Sequence, residues 1–221
     1  MHPPLTDVEV RILGSLVEKE ATTPDNYPLS LSVLAAACNQ TSNRDPVMRL
    51  DEGVISEAIV PLRRRSLVRS IQPMGSRVTK YQHLLADVLN LDRRELAVLD
   101  VLMLRGPQTA GEIFGRTGRL AEFGDIAAVE GTLDRLVARD DGALVTRLPR
   151  RPGQREERYA HLLSGEVTER AAESPAAAEQ SGPAPAFPSD RVASLERTVD
   201  ALRAELTALR EEFAAFRAQF Q

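Results

Sequence analysis

Residues 38–53 read CNQTSNRDPVMRLDEG, a run that holds a thiol, three side-chain amides, two guanidinium groups and three carboxylates. Such a mixture is chemically capable of nucleophilic attack, of amide readout of bases, or of gripping a phosphate. Cys38 is the chain's single cysteine, which excludes an internal disulfide and any multi-cysteine metal centre. It ends the alanine-rich segment PLSLSVLAAAC, where a small buried apolar role is expected rather than a nucleophile. The histidines are His2, His83 and His161, and no two of them share metal-ligand spacing. His83 and His161 follow a tyrosine in matching segments, YQHLL and YAHLL. A catalytic histidine rarely recurs in both copies of a duplicated scaffold, so both are read as packing residues. GRTGRL (residues 115–120) lacks the lysine and the spacing of a phosphate-binding loop. No catalytic residue, metal ligand or cofactor is expected.

Arginine carries the remaining chemistry. Between Ala58 and Ala86 there is no carboxylate, while Arg63, Arg64, Arg65, Arg69, Arg77 and Lys80 all fall there. A second cluster holds Arg147, Arg150, Arg151, Arg155 and Arg158 against Glu156 and Glu157. Guanidinium and ammonium groups at this density suit contacts to nucleic-acid phosphates, which are salt-sensitive and blind to base sequence. The competing reading is dipole-complementing arginines at a helix C-terminus that stay solvated. Arg44, with no evident local duty, is the loop residue expected to touch a partner or a phosphate, against a structural ion pair with Asp45, Asp51 or Glu52.

The elements that must hold these groups come from an internal repeat. LTDVEVRILGSL (residues 5–16) matches LDRRELAVLDVL (residues 91–102), and both predict helices with Thr6 or Asp7, and Asp92, at the N-cap. Val8, Ile12, Leu16 and Val17 form one apolar stripe, and Leu96, Leu99, Leu102 and Met103 the other. Each copy then predicts a second helix after a proline, over residues 28–38 and 107–117. A third follows, marked by Ile55, Ile59 and Leu62, and by Val129, Leu133 and Leu136. Pro61 should kink or shorten the first of these. Extended segments around QPMGS and PRRPGQREE predict a hairpin closing each copy. Helix, helix, helix, hairpin, twice, is the pattern of two tandem winged-helix domains. The fold class is mainly α with small β-hairpins (α+β): a first domain over residues 1–88 and a second over 89–166.

From residue 167 to 189 small residues and prolines predict a disordered linker, and residues 190–221 a coiled-coil helix. Val192, Leu195, Val199, Leu202, Leu206, Leu209, Phe213, Phe216 and Phe220 alternate at spacings of three and four. Valine at a and leucine at d, with Glu205 and Glu212 at g facing Arg210 and Arg217 at e of a partner, predict a parallel homodimer. The alternative is an amphipathic helix that folds back on its own domains.

The formal charge of −4 arises in this tail, since residues 1–88 carry 10 basic and 10 acidic side chains and residues 89–165 carry 12 of each. A nucleic-acid role must therefore rest on local clusters. No membrane span and no signal peptide are expected, which points to the cytoplasm.

The segments TTPDNYPLS, ACNQTSNRDPVM, SRVTKYQH, EFGDIAAVEGTL and RYAHLLSGEV resemble the YceH family of bacterial proteins, over residues 5 to about 167. The resemblance implies a tandem winged-helix fold and carries no reaction and no site residues with it.

Two functions from different classes follow. One is a DNA-associated regulator gripping phosphates through its arginine-rich wings. The other is a protein-interaction adaptor using the winged helices as scaffold. The third helices favour the adaptor, because off their apolar stripes they present Glu52, Ser56 and Glu57, and Asp125, Glu130 and Asp134, where a base-reading helix presents Arg, Lys, Asn or Gln. Charge balance also favours the adaptor, while the frequency of DNA binding among winged helices, an analogy at fold level, favours DNA, which is taken as the first reading. The stretch 38–53 has a counterpart in TGRLAEFGD (residues 117–125), and both exceed the three or four residues of an ordinary helix-turn-helix.

Overall fold

A computed structural model describes residues 4–75, 77–150 and 156–165. The first helix, α1 (Asp7–Thr22), starts at Thr6, whose hydroxyl accepts from Glu9 N while the Glu9 carboxylate accepts from Thr6 N. This reciprocal pair satisfies two of the donors that a helix start leaves open. A 3-10 turn (Pro24–Asn26) leads to β1 (Leu29–Ser30), α2 (Leu31–Cys38) and, after a long loop, α3 (Glu52–Arg64). The strands β2 (Val68–Ile71) and β3 (Lys80–His83) close the first copy, and α4 (Leu85–Leu89) leaves it. The second copy runs α5 (Arg93–Arg105), α6 (Ala110–Thr117), α7 (Ile126–Val137), β4 (Val145–Leu148) and β5 (Arg158–His161). The fold is α+β, and the expected limit at residues 88–89 falls at the end of α4.

Asp92 and Thr109 repeat the reciprocal cap at α5 and α6 with Glu95 and Glu112, while Ser30, Asp51 and Asp125 cap α2, α3 and α7 through their side chains alone. Pro61 does not shorten α3, which continues to Arg64. The segment expected to be helical from Pro28 instead begins as strand: Leu29 pairs with Tyr81 and Ser30 with Lys80, giving the sheet order β1-β3-β2. Such pairing depends on a partner far along the chain, which local periodicity does not encode. The second copy makes the same connection with a single bridge, Gln108 to Tyr159. In the hairpins Val68 pairs with His83 and Val145 with His161.

The apolar stripes are buried as expected: Ile55, Ile59 and Leu62 on α3, and Val129, Leu133 and Leu136 on α7. Each such side chain contributes about 1.5–3 kcal/mol by leaving water. The first helices go further. Residues 9–18 of α1 and 97–104 of α5 are buried on every face, because the two helices pack on each other as well as on their own copies. The buried apolar residues of both copies form one continuous cluster. Gly14 makes the close crossing: a Cβ built there would lie 2.8 Å from Leu104 Cδ2 and 2.9 Å from its Cγ.

Candidate nucleic-acid interface

The cationic residues expected at the interface separate into three groups. Arg63 and Arg64 lie exposed in the last turn of α3, followed by half-buried Arg65 at its C-cap. Exposed Arg69 stands opposite Gln82, and half-buried Lys80 opposite Ile71. Side chains alternate across a strand, so Arg69, Ile71, Lys80 and Gln82 share one face, while Val68 and His83 share the other, turned to the core. Arg77 is exposed in the turn before β3. Among the described residues no carboxylate lies within ion-pair distance of Arg63, Arg64, Arg69, Arg77 or Lys80. Helix end and hairpin thus form a cationic surface without local neutralisation.

The second hairpin differs. Arg150 lies 3.6 Å from Glu157, Arg158 lies 3.7 Å from Glu112, and Arg147 pairs with Asp134 while resting over the Tyr159 ring at 5.8 Å. Arg151 and Arg155 lie outside the described residues. The arginines described there are held by carboxylates of their own copy, which lowers the positive potential they offer a phosphate. The seam residues Val192 to Phe220 also lie outside the described residues.

Arg44 corrects the expectation placed on it. Its side chain has 0% exposure and is spent within the protein. It donates to both carboxylate oxygens of Glu18 at 3.1 and 2.7 Å, and to the backbone oxygens of Ala37 and Asn43. The ion pair is structural, but its acid is Glu18 rather than Asp45, Asp51 or Glu52. Burial alone would raise the Glu18 carboxyl; the hydrogen bonds and charge of Arg44, with help from Lys19, outweigh it and hold the group below the usual range. Arg11, 2% exposed, donates to the carbonyls of Cys38 and Pro46 at 3.2 and 2.7 Å. Asp45 N donates to Leu104 O at 2.8 Å, and Arg105 donates to Asn43 Oδ1 at 3.0 Å. The loop after α2 is therefore a buckle joining α1 to the end of α5. Sequence gives weak warning of this: Arg11, Ser15 and Glu18, at spacings of four and three, read as the solvent face of an amphipathic helix.

Cys38 is buried, and burial pushes its thiol up, away from the reactive thiolate. His83 Nδ1 accepts from Leu85 N at 3.2 Å, which leaves Nε2 to donate to Glu20 at 2.8 Å. Burial lowers His83 despite Glu20, and lowers His161 to about 4. The His83 ring thus links the hairpin to α1 and α4, whereas the buried His161 Nδ1 has no hydrogen-bond partner among the described residues. The exposed faces of α3 and α7 carry Glu52, Glu57, Glu130 and Asp134 among the apolar Val54, Val60 and Ile126. Among the described residues no helix is long and apolar enough to cross a membrane.

Residues 5–154 match the family described as a protein of unknown function, DUF480. The chain is 46% identical over 210 residues to a UPF0502 protein of Vibrio vulnificus (strain CMCP6), covering 93% of this chain and 95% of the relative. It is 48% identical over 219 residues to a UPF0502 protein of Pelobacter propionicus, covering 98% of each. A UPF0502 protein of Geotalea daltonii is 52% identical over 175 residues, 79% of each chain. With the family's pattern spanning both copies and near-complete relatives at this identity, the chain belongs to the DUF480/UPF0502 family.

Proposed function

We propose that this protein is a non-enzymatic, DNA-associated tandem winged-helix protein that holds the phosphate backbone through its first copy. In each copy three helices precede a β-hairpin, and a residue before the second helix pairs with the hairpin, which supports the winged-helix reading. The observation that carries the function is the unneutralised set Arg63, Arg64, Arg69, Arg77 and Lys80 on the end of α3 and the β2–β3 hairpin. Its chemistry is nonspecific, because cations on a helix end and wing meet phosphates, while the acidic faces of α3 and α7 are repelled by them. Arg147, Arg150 and Arg158 of the second hairpin, each beside a carboxylate, take a lesser part. The heptad seam of residues 192–220 pairs two chains in parallel, so that two first copies engage one duplex and the avidity of weak contacts rises.

A second reading rests on a different observation. Val54, Val60 and Ile126 are exposed among carboxylates on α3 and α7, a surface suited to a protein partner with apolar and basic groups. Fluorescence anisotropy with a duplex of arbitrary sequence separates the two. DNA association gives binding that weakens steeply with salt. An Arg63→Gln/Arg69→Gln variant should show a smaller salt slope, by roughly one unit for each phosphate no longer neutralised. Absence of binding at low salt would overturn it in favour of the adaptor.

A further inference from the structure

Where α1, the loop after α2, α5 and α6 meet, a cleft of about 60 Å³ opens between the two copies. Glu18, Thr22, Asn43, Asp100, Arg105, Arg116 and Arg119 supply its polar lining. A single water needs about 10–15 Å³ of such space, so the cleft has room for a small oxyanion group. Asp100 is 1% exposed, and its Oδ1 has no hydrogen-bond partner among the described residues. Arg105 Nε is also buried and without a partner, although Nη1 of the same group holds Asn43. Unpaired buried polar atoms are costly, and here two residues that line the cleft each carry one.

The charge around the cleft decides what fits. Glu18 is consumed by Arg44 in a two-point pair. Arg116 binds Gln108, sits 3.8 Å from Glu112, and keeps its other terminal nitrogen unassigned among the described residues. Arg119 is exposed at the rim, with no ion-pair partner among the described residues. Three guanidinium groups therefore converge on an opening whose Glu18 carboxylate is already matched.

We propose that this cleft is a binding site for a small oxyanion, a phosphate or carboxylate group held by Arg105, Arg116 and Arg119 with Thr22 and Asn43 beside it. Planar guanidinium forks match the oxygens of such groups. Burial, and then the charge of Glu18, push the Asp100 carboxyl well above the usual range, which lessens its repulsion of an anion in the cleft. The ligand touches both copies at once, so occupancy clamps α1 and the buckle loop to α5 and α6. This inference is independent of the DNA reading, whose cations lie on other elements.

Calorimetric titration of the full chain with sodium phosphate, and separately with sodium acetate, at constant ionic strength tests it. The expected result is saturable one-site binding of at least one anion, with the tighter one distinguishing a phosphate from a carboxylate source. Arg119→Gln and Arg105→Gln should each weaken it about tenfold or more, the scale of losing one charge-assisted hydrogen bond. Arg63→Gln/Arg69→Gln should leave it unchanged. Arg119 is exposed, so its variant folds irrespective of the buckle, and unaltered circular dichroism verifies that. No saturable binding of either anion, or equal weakening by cleft and hairpin variants, overturns the proposal.

Discussion

Arg44 and Glu18 form a buried pair whose partners lie in different elements, one in the loop after α2 and the other near the end of α1. Removing the arginine alone leaves a carboxylate in a site it cannot neutralise from solvent. Arg44→Met is expected to cost about 3–5 kcal/mol, toward the lower end because Glu18 keeps an edge on the cleft. Arg44→Met/Glu18→Met removes both charges and should recover most of that loss. Urea unfolding of the two variants checks the pair, and a single variant as stable as the parent chain would refute it. Arg44 stood out in the sequence because no neighbour explained it. Glu18 did not, since a lone glutamate on an amphipathic helix looks like a solvent group. The candidate site was thus half legible: exposed cations such as Arg63 and Arg69 read directly from a carboxylate-free stretch, while buried ones were indistinguishable from them in sequence.

Helices were legible because their signals are local. Of the two residues the sequence offers, Thr6 rather than Asp7 caps α1, Asp92 caps α5 as expected, and the stripes on α3 and α7 are buried as their spacing requires. The two-residue strand β1 was not, because its only support is pairing to β3. Nor was the burial of α1 and α5 on every face, which each helix owes to the other. Gly14 is the residue on which that crossing turns. Gly14→Val should destabilise the chain by about 1–3 kcal/mol through overpacking against Leu104, and Leu104→Ala in the same chain should return part of it. Denaturant midpoints with unchanged slopes would report this. A stabilised Gly14→Val would mean that the crossing has slack.

At the scale of the whole molecule, the described residues fall in the first of two units, Met1–Glu173, and the heptad seam follows it in sequence. The full chain is expected to be a dimer and a chain ending near residue 175 a monomer, with light scattering as the measure. Equal oligomeric states for both would remove the seam from dimerisation and weaken the avidity argument for DNA. The chain's own order of residues determined the repeated helices and hairpins, the caps, the placement of charge and the membership of the DUF480/UPF0502 family. Each of these is written in short spacings that a few neighbouring residues satisfy. The tertiary structure decided which polar groups face solvent and which are enclosed: Arg11, Glu18, Arg44 and Asp100 inside, Arg63, Arg64, Arg69 and Arg77 outside. Periodicity gives a helix one buried face. Whether the opposite face meets water or a second helix depends on a partner distant in the chain, and the packing of α5 on α1 turned CNQTSNRDPVMRLDEG from an apparent reactive loop into the fastening between two copies.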